Sequence, residues 1–310
     1  MSNFRFVIGR FLGAIPTLLI LICLAFLLVK SAPGGPFDFE RSLPEEVEAN
    51  LRAAYNLDDP VYLQLFKYIG DLLQGDFGPS FQYRDYTVTE LIATGFPVSL
   101  RLGTAAIFLA LMFGSIIGSV AALNQNSKLD YSVMFFGMIG ISIPNFVMAP
   151  LLVLFFSIGL KALPAGGYNG GDFYHMILPV ISLALPQMAY IARLTRGSMI
   201  EVLSSNFVRT AKAQGLPTRS ILLKHVLKPT LLPVVSYLGP ATAAIITGSV
   251  VVEQIFGLPG LGRYFVQGAL NRDYTLVMGV VVFYGCLIIL FNLVVDTLYG
   301  FIDPRIKQNR

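Results

Sequence analysis

The chain has 310 residues, of which 55% are hydrophobic and only 13% are charged, and its mean hydropathy is +0.69. A soluble domain carries about 25% charged residues, so this composition excludes an ordinary soluble protein and indicates several membrane spans. The net charge of +4 does not indicate nucleic-acid binding, because the basic residues lie in short segments beside apolar runs, as in membrane proteins.

The N-terminal segment contains Arg5 and Arg10, followed by an apolar run from Phe11 to Val29. Both secretory signals and first membrane spans have this arrangement. The run is long enough to cross a bilayer, and residues 30–35 contain no clear small-x-small cleavage site. Residues 1–30 are therefore predicted to be a cytoplasmic tail and an uncleaved first transmembrane helix.

Residues 31–97 are predicted to form an external helical insertion. Ser42-Leu43-Pro44-Glu45 has the pattern of a helix capping box. Asp59-Pro60 precedes a second apolar stripe, and the glycine-rich segment 75–80 then ends that helix. A floppy loop is the alternative, which the two helix signals disfavour.

Six apolar runs are long enough to span a membrane. They cover residues 8–29, 99–123, 132–160, 174–192, 230–252 and 276–299. The chain is therefore predicted to be an all-α polytopic membrane protein with six transmembrane helices. Five of them lie in a core of residues 98–302, and a cytoplasmic tail follows at 303–310. The fourth run is the weakest, because Pro179 and Pro186 interrupt it.

Two neighbouring spans contain both prolines and a polar side chain. Pro144 and Pro150 interrupt the third span, which carries Asn145, and the fourth carries Gln187. Such kinked helices either pack against neighbours or line a polar pathway, and both alternatives stay open. Because polar groups within a membrane mark substrate routes, the predicted pathway residues are Asn145, Gln187, Thr247 and Asn292.

The segment Gly114-Ser115-Ile116-Ile117-Gly118 in the second span has the GxxxG spacing. This spacing lets two helix backbones approach closely, so it predicts helix packing and says little about function.

Charge placement predicts the orientation. Residues 193–228 contain seven basic residues and a single acid, Glu201, whereas residues 31–97 contain eleven acids and four bases. By the positive-inside rule, the first segment and both termini are cytoplasmic, and the second is external.

The sequence contains no GxxxxGK phosphate-binding loop followed by serine or threonine, so no ATP site is recognised. Gly257–Gly262 is rich in glycine but lacks the lysine, and it is predicted to be a turn or a re-entrant element. His175 and His225 are isolated, and Cys23 and Cys286 have neither disulfide nor metal spacing. No catalytic or metal-binding residue is predicted.

Few ionisable residues lie well inside the spans. Arg101, Glu253 and Asp296 are near predicted span ends. Because ion-coupled transporters usually need carboxylates or histidines within the membrane, this pattern disfavours secondary transport and fits a large, weakly interacting cavity. Glu253 and Asp296 are interpreted equally well as interfacial anchors or as pathway residues.

The cytoplasmic segment has a helix–break–helix order. Asn206 is predicted to cap a short helix that ends at Gly215, with Phe207, Ala211 and Gln214 on one face. A second apolar pattern at residues 221–226 predicts a helix along the membrane interface.

A positively charged loop that touches anionic lipid is the alternative interpretation of this segment. That alternative explains the charge of residues 193–228 but not the compact order of two helices around a Gly-Leu-Pro break.

The stretches Arg209–Pro217 and His225–Pro229 together resemble the EAA signature of binding-protein-dependent ABC importer permeases, in the form of the dipeptide and oligopeptide branch. Arg209 replaces the glutamate of the general signature, which puts a glutamate-mediated contact in doubt. Ala211 and Gly215 keep its spacing. The chain is most similar to the B-type subunit of oligopeptide importers. The other matching segments are 32–34, 56–60, 75–80, 195–199, 253–262, 271–274 and 303–306.

The resemblance implies a type I ABC importer permease fold with a cytoplasmic coupling loop at 193–229 and no bound cofactor, ATP and Mg being used by partner ATPases. It also implies a second homologous permease, two cytoplasmic ATPase subunits, an extracytoplasmic peptide-binding protein and a bacterial inner membrane. The coupling helix would dock in a groove of an ATPase through Asn206, Phe207, Arg209, Thr210, Ala211, Lys212, Ala213, Gln214 and Gly215.

The resulting hypothesis is the permease subunit of an oligopeptide importer. Importers of dipeptides, nickel or other small solutes share these motifs and form the nearest alternative. A membrane scaffold or sensor that keeps the docking loop and moves nothing is a further alternative.

Overall fold

The computed structural model describes residues 3–31, 58–83 and 85–302, which are mostly helical. Helix α1 spans Asn3–Ser31 and α2 spans Val61–Leu73, directly after Pro60 as predicted. The break after α2 is also confirmed, since Gly75 and Gly78 have φ of +79° and +86°. The capping box predicted at 42–45 lies outside the described residues.

The remaining helices form the core of the chain. They are α3 (Val88–Leu123), α4 (Lys128–Ser142), α5 (Asn145–Leu152), α6 (Phe173–Leu203), α7 (Asn206–Ala213), α8 (Leu227–Gly248), α9 (Val250–Phe256), α10 (Leu261–Leu270) and α11 (Tyr274–Ile302). A π-helical segment, Val153–Gly159, extends α5, and another, Ile221–Val226, leads into α8. The helix predicted at 221–226 is thus the first part of a continuous helix with α8 rather than a separate interfacial element.

Helix α3 begins at Val88, well before the predicted span at 99. The reason is a capping box: Thr87 Oγ1 accepts from the Glu90 N–H (3.2 Å), and Glu90 Oε2 accepts from the Thr87 N–H (2.8 Å). This pair satisfies two backbone donors of the first turn, so the helix starts outside the apolar run.

Five helical segments in the described part of the chain are long and apolar enough to cross a membrane. They are Leu12–Ser31, Val88–Leu123, Phe173–Leu203, Thr218–Thr247 and Tyr274–Val295. Each overlaps one predicted span. Helix α6, the weakest of the predictions, is continuous through Pro179 and Pro186.

The predicted span 132–160 is not a single helix. Helix α4 and the segment Asn145–Gly159 meet at a bend of 106°. Ile143 is extended (φ −83°, ψ 116°), because the residue before a proline avoids the helical conformation, and Pro144 has no N–H with which to continue the helix. The third predicted span is therefore broken at this dipeptide.

Helices α3 and α6 pack most closely. A Cβ atom on Gly114 would lie 2.7 Å from the carbonyl oxygen of Met188, and one on Gly118 would lie 2.3 Å from that of Ala192. The GxxxG pair therefore lets the two backbones touch, and its predicted packing role is confirmed. Helix α8 packs against α3, α6 and α11, and α1 packs against α11.

The two ends of this bundle are distinguished by the loops that meet there. Ala122, near the end of α3, packs with α7, and this end is called the α7 end. The segments 75–83, 163–172 and 257–273 meet at the other end, called the opposite end, through contacts such as Ser80 with Asp273 and Gly167 with Phe256. This grouping matches the one predicted from charge, while the side of the membrane that each end faces stays a prediction.

Candidate coupling helix and pathway residues

The start of α7 lies one residue before the predicted one. Ser205 has extended backbone angles (φ −68°, ψ 154°) and is the N-cap, so the prediction of Asn206 in this role is wrong. The hydroxyl of Ser205 donates to the carbonyl oxygen of Val202 (2.6 Å) and does not cap α7. The side chain thus ties α7 to the end of α6.

The end of α7 is formed by Gly215, as predicted. Its φ of +76° is in the left-handed region, which costs glycine little. The Gly215 N–H donates to the carbonyl oxygen of Lys212 (3.0 Å), and the Leu216 N–H donates to that of Ala211 (3.2 Å). These are the two hydrogen bonds of a Schellman motif, which stops the helix and turns the chain.

One face of α7 is buried in the chain itself. Val208 and Ala211, three residues apart, are 0% and 6% exposed. They pack in a cluster with Ala122, Met199, Ile221 and Val226, which come from the ends of α3 and α6 and from the segment before α8. Within the predicted face of Phe207, Ala211 and Gln214, Ala211 alone is buried, so it holds the helix in place.

The other face of α7 is open and basic. Phe207 is 49% exposed, and Arg209 and Lys212 are also exposed, as are Asn206, Thr210, Ala213 and Gln214. A projecting aromatic ring beside two cations suits a groove with an apolar floor and an acidic rim.

A buried ion pair joins α4 to α6 close to α7. Arg196 Nε lies 2.5 Å from Asp130 Oδ1 and Arg196 Nη2 lies 2.7 Å from Oδ2, which is a bidentate arrangement. The Asp130 side chain is fully buried and that of Arg196 is 25% exposed. Asp130 Oδ2 also accepts from the Asn126 N–H (3.0 Å), which fixes the turn between α3 and α4.

At the opposite end, the glycine-rich segment is a turn that encloses Glu253. This carboxylate is fully buried and accepts from Ser249 Oγ (2.5 Å) and from the N–H groups of Gly262 (2.7 Å) and Arg263 (3.4 Å) in the first turn of α10. A Cβ on Gly260 would lie 2.4 Å from Glu253 Oε2. The glycines are therefore needed for close approach to a carboxylate, and the predicted turn is confirmed.

A second buried carboxylate, Asp273, caps α11 and holds a distant loop. Its Oδ1 accepts from the Leu276 N–H (3.1 Å), and its Oδ2 accepts from Ser80 Oγ (2.5 Å) and from the Gln82 N–H (3.1 Å). Two motifs of the sequence, residues 75–80 and 271–274, thus meet in one site.

Gln187 lies in a polar cluster between α6 and α8. The hydroxyl of Tyr237 donates to Gln187 Oε1. The Tyr237 ring stacks on that of Tyr190 at 4.3 Å between centroids, and the guanidinium of Arg193 lies 5.0 Å from the centroid of Tyr190. This ladder of an amide, two phenols and a cation is a polar surface among apolar helices.

The other three pathway candidates lie elsewhere. Asn145 begins α5 beside the break, and its buried Oδ1 has no hydrogen-bond partner within the described residues. Thr247 Oγ1 donates to the carbonyl oxygen of Ala243 in its own helix (2.8 Å). Asn292 lines a groove of about 620 Å³ between α1 and α11, together with Gly13. Whether any of the four contacts a substrate stays a prediction.

Polar groups at the start of α6 form a small, partly buried pair. His175 Nδ1 lies 3.1 Å from Asp172 Oδ2, and this hydrogen bond is the chief cause that lowers the pKa of Asp172. In the part of the chain that the structure covers, no group of three or more His, Cys, Asp or Glu side chains is placed to hold a metal ion.

Residues 114–308 match the family described as "Binding-protein-dependent transport system inner membrane component". The chain belongs to this family. The match covers α6, α7 and α8, so the predicted coupling helix lies inside the matched region. The resemblance drawn from the sequence motifs is confirmed.

Curated relatives extend the similarity to almost the full length. The chain is 57% identical over 303 residues to the oligopeptide transport system permease protein OppB of Escherichia coli strain K12, covering 98% of this chain and 99% of that protein. It is 45% identical over 306 residues to the dipeptide transport system permease protein DppB of Bacillus subtilis strain 168, covering 99% of each.

Solved structures show the same fold at low identity. The inward-facing methionine ABC transporter MetNI matches with a TM-score of 0.57 and 17% identity, over 69% of this chain and 96% of that one. An amino acid ABC transporter with histidines matches with a TM-score of 0.54 and 15% identity, over 69% and 94%. The permease therefore has the predicted all-α type I ABC importer fold.

Reasoning from the sequence did not find three polar groups that organise this permease. Asp130 and Arg196 are 66 positions apart, and Glu253 was weighed as an anchor or a pathway residue rather than as a helix cap. One signal was present for Glu253: a carboxylate that precedes a helix start with two glycines in between can fold back onto the helix N–H groups.

Proposed function

We propose that this chain is the transmembrane permease subunit of an ATP-driven importer of oligopeptides, which a solute-binding protein delivers. The observation that carries this proposal is 57% identity to an oligopeptide permease along nearly the whole of both chains. The scarcity of charged residues along the spans supports it, because peptides of varied side chains need a route without strong fixed charges.

The chain is a non-enzymatic partner in this proposal. Two cytoplasmic ATPase subunits supply the energy and bind ATP and Mg, and a second homologous permease completes the translocation pathway. The α7 end faces the cytoplasm of a bacterium, together with both termini, and the opposite end receives the binding protein. The basic residues between 193 and 228 support that orientation.

Helix α7 docks in a groove of the ATPase through its exposed face. Phe207 enters the groove, and Arg209 and Lys212 contact its rim, because these side chains are exposed while Val208 and Ala211 are buried in the permease. The inward face transmits the motion, since it packs on the ends of α3 and α6 and on the segment before α8.

A variant at the end of α7 tests this transmission. In Gly215→Pro, proline cannot adopt a φ of +76° and has no N–H to donate to Lys212, so the end of the helix is lost. We expect normal membrane insertion, continued ATP hydrolysis and a large loss of uptake. The same result is expected when residues 207–214 are exchanged as a block. Unchanged peptide uptake in either variant would contradict the role of α7 as a lever.

Asn145, Gln187, Thr247 and Asn292 are proposed to face the pathway in at least one state of the transport cycle. Gln187 has the best support, because its amide lies in the polar cluster with Tyr190 and Tyr237. An amide and two phenols can exchange hydrogen bonds with a passing peptide backbone without selecting a particular side chain.

The proposal is tested with the permease, its partner permease, the ATPases and the binding protein reconstituted in lipid vesicles. Labelled tri- and tetrapeptides, a dipeptide and Ni²⁺ are each offered with ATP. We expect binding protein loaded with the longer peptides to stimulate ATP hydrolysis and to give uptake. If only the dipeptide, or only Ni²⁺, stimulated ATP hydrolysis and was taken up, that solute would be the substrate and the proposal of oligopeptides would be wrong.

The dipeptide importer is the second candidate, because the chain is also 45% identical to a dipeptide permease over its full length. A scaffold or sensor would show binding of the partners without uptake of any of these solutes, which the same vesicles reveal.

A further inference from the structure

We infer that the ion pair of Asp130 and Arg196 transmits the movement of the coupling helix to the broken span, which consists of α4 and α5. Both residues are positioning residues, because they act through helix placement and touch no substrate. The inference rests on the proposed function, in which α7 is moved by an ATPase.

The packing of α4 shows why a joint is needed. Asp130 is the one residue of α4 whose side chain is buried, and every apolar residue of this helix is exposed or half-buried. Phe136 and Met138, for example, are 68% and 58% exposed. Burial of apolar surface therefore holds α4 weakly against its own chain, and the ion pair supplies a fixed attachment at the first turn.

The far end of α4 is not fixed firmly to the rest of the chain. The chain bends by 106° between Ser142 and Asn145, so no continuous helix connects α4 to α5. Near this end, α4 meets α6 where a Cβ on Gly140 would lie 3.4 Å from the Cβ of Ala189. This contact between small groups has no hydrogen bond and allows the helices to slide.

The near end of α4 is attached to the part of α6 that packs against α7. Arg196 precedes Met199 by three residues in α6, and Met199 packs in the buried cluster with Val208 and Ala211 of α7. Because residues three apart lie on neighbouring parts of a helix, the guanidinium and this cluster move with the same turn of α6.

The geometry of the pair suits the transfer of motion. Two parallel hydrogen bonds between a planar guanidinium and a carboxylate hold one relative orientation, which an apolar contact does not. The carboxylate also accepts the Asn126 N–H, and Ser127 Oγ accepts the Asp130 N–H at 3.3 Å, so the turn before α4 is fixed to the same atoms. A displacement of α6 is therefore passed to the start of α4.

Three variants separate this role from a structural one. Asp130→Asn and Arg196→Gln each leave a partner in a buried site without its countercharge, which destabilises the fold. The double variant Asp130→Asn/Arg196→Gln removes both charges, so stability recovers while the bidentate attachment is lost. His175→Gln is the matched control, because it changes a partly buried polar pair on the same helix at the other end.

The direct readout is the distance between α4 and α6 in the complex with its ATPases. Spin labels are placed at Met138 and Tyr174, which are 58% and 60% exposed, after Cys23 and Cys286 are replaced by serine. Distances are measured by pulsed EPR without nucleotide and with ATP and vanadate. We expect the distance to change in the parent and in His175→Gln, and to stay constant in the double variant.

Uptake in vesicles gives the second readout. We expect the number of peptides taken up per ATP hydrolysed to fall about tenfold in the double variant. We expect His175→Gln to keep the parent ratio.

Two results would overturn the inference: no distance change in the parent, or the full change in the double variant. A double variant that is stable and has the parent ratio would also reduce the pair to a structural contact. Failure of the proposed function is recognised separately, because the parent would then show the distance change without uptake of any peptide.

Discussion

The opposite end of the bundle and helix α7 are held by different kinds of contact, although the buried carboxylate of Asp130 lies close to α7. At the opposite end, Glu253 and Asp273 are fully buried and accept backbone N–H groups from helix starts and from a distant loop. At the α7 end, helix α7 contacts the chain through two small buried side chains, Val208 and Ala211.

This difference separates a rigid end of the bundle from a movable helix, α7. A buried carboxylate must keep all its hydrogen bonds, because each lost bond leaves an unsatisfied group away from water. A small apolar patch loses little when it shifts. We therefore expect the opposite end to keep one shape, while α7 responds to small forces, which suits the two different partners proposed for the two ends.

The largest effect is expected from Glu253→Ala. It removes the acceptor for the Gly262 and Arg263 N–H groups and leaves a void, at a cost of about 4 kcal/mol in the free energy of unfolding. The fraction of permease that stays monodisperse after heating in detergent measures this loss. Glu253→Gln is the control, because it keeps the shape and one acceptor oxygen. A loss no larger than that of Val208→Ala would contradict the rigid end.

A smaller effect is expected from Gly262→Ala. Its Cβ would lie 2.3 Å from Val250 Cα, so the backbone of α9 or α10 must shift, at about 2 kcal/mol. Gly197→Ala in α6 is the matched control, because no atom lies within 4 Å of that Cβ and alanine favours a helix by roughly 0.5–1 kcal/mol. The same heating assay is expected to rank the control above the parent and Gly262→Ala below it.

The contact between residues 75–80 and the start of α11 is expected to contribute somewhat less to the free energy of unfolding. Asp273→Asn replaces one acceptor by a donor that faces the Ser80 hydroxyl and the Gln82 N–H, at about 1.5 kcal/mol. A cycle with Ser80→Ala measures the coupling of the two residues. Additive losses would show that the loop is held by other contacts.

The smallest effect on global stability is expected from Val208→Ala, because α7 can detach without unfolding the bundle. Local opening should rise, so trypsin should cut at Arg209 and Lys212 about tenfold faster for a local loss of about 1.4 kcal/mol. Phe207→Ala is the control, since the Phe207 side chain is 49% exposed and contributes little to the packing of α7 against the rest of the chain. A fall in the unfolding midpoint as large as that of Glu253→Ala would contradict the movable helix.

Local rules predicted a large part of this architecture. The start of α2 after Pro60 and the stop at Gly215 depend on backbone conformation, which a short stretch of sequence contains. The GxxxG spacing predicted a packing surface at Gly114 but did not identify its partner, α6. The apolar runs predicted six spans, because a bilayer demands a minimum length, and five of them are single long helices.

Features that depend on distant partners could not be predicted in this way. Asp130 looks like an ordinary first-turn acid until Arg196 is placed beside it, and Ala211 looks like part of an exposed face until Ala122 and Met199 pack beneath it. The prolines marked the weakness of the third span, but they do not determine the angle of a break, which depends on what surrounds it.

The close contact of α3 and α6 has a consequence for biosynthesis. Gly114 and Gly118 meet Met188 and Ala192, which leave the ribosome more than 70 residues later. Until then the glycines of α3 have no packing partner. The intervening helices α4 and α5 are made before α6, so they lie beside α3 in a bundle that still lacks α6. Assembly of the core is therefore a late, non-local event, and slow synthesis of residues 124–172 would prolong the stage most exposed to quality-control proteases.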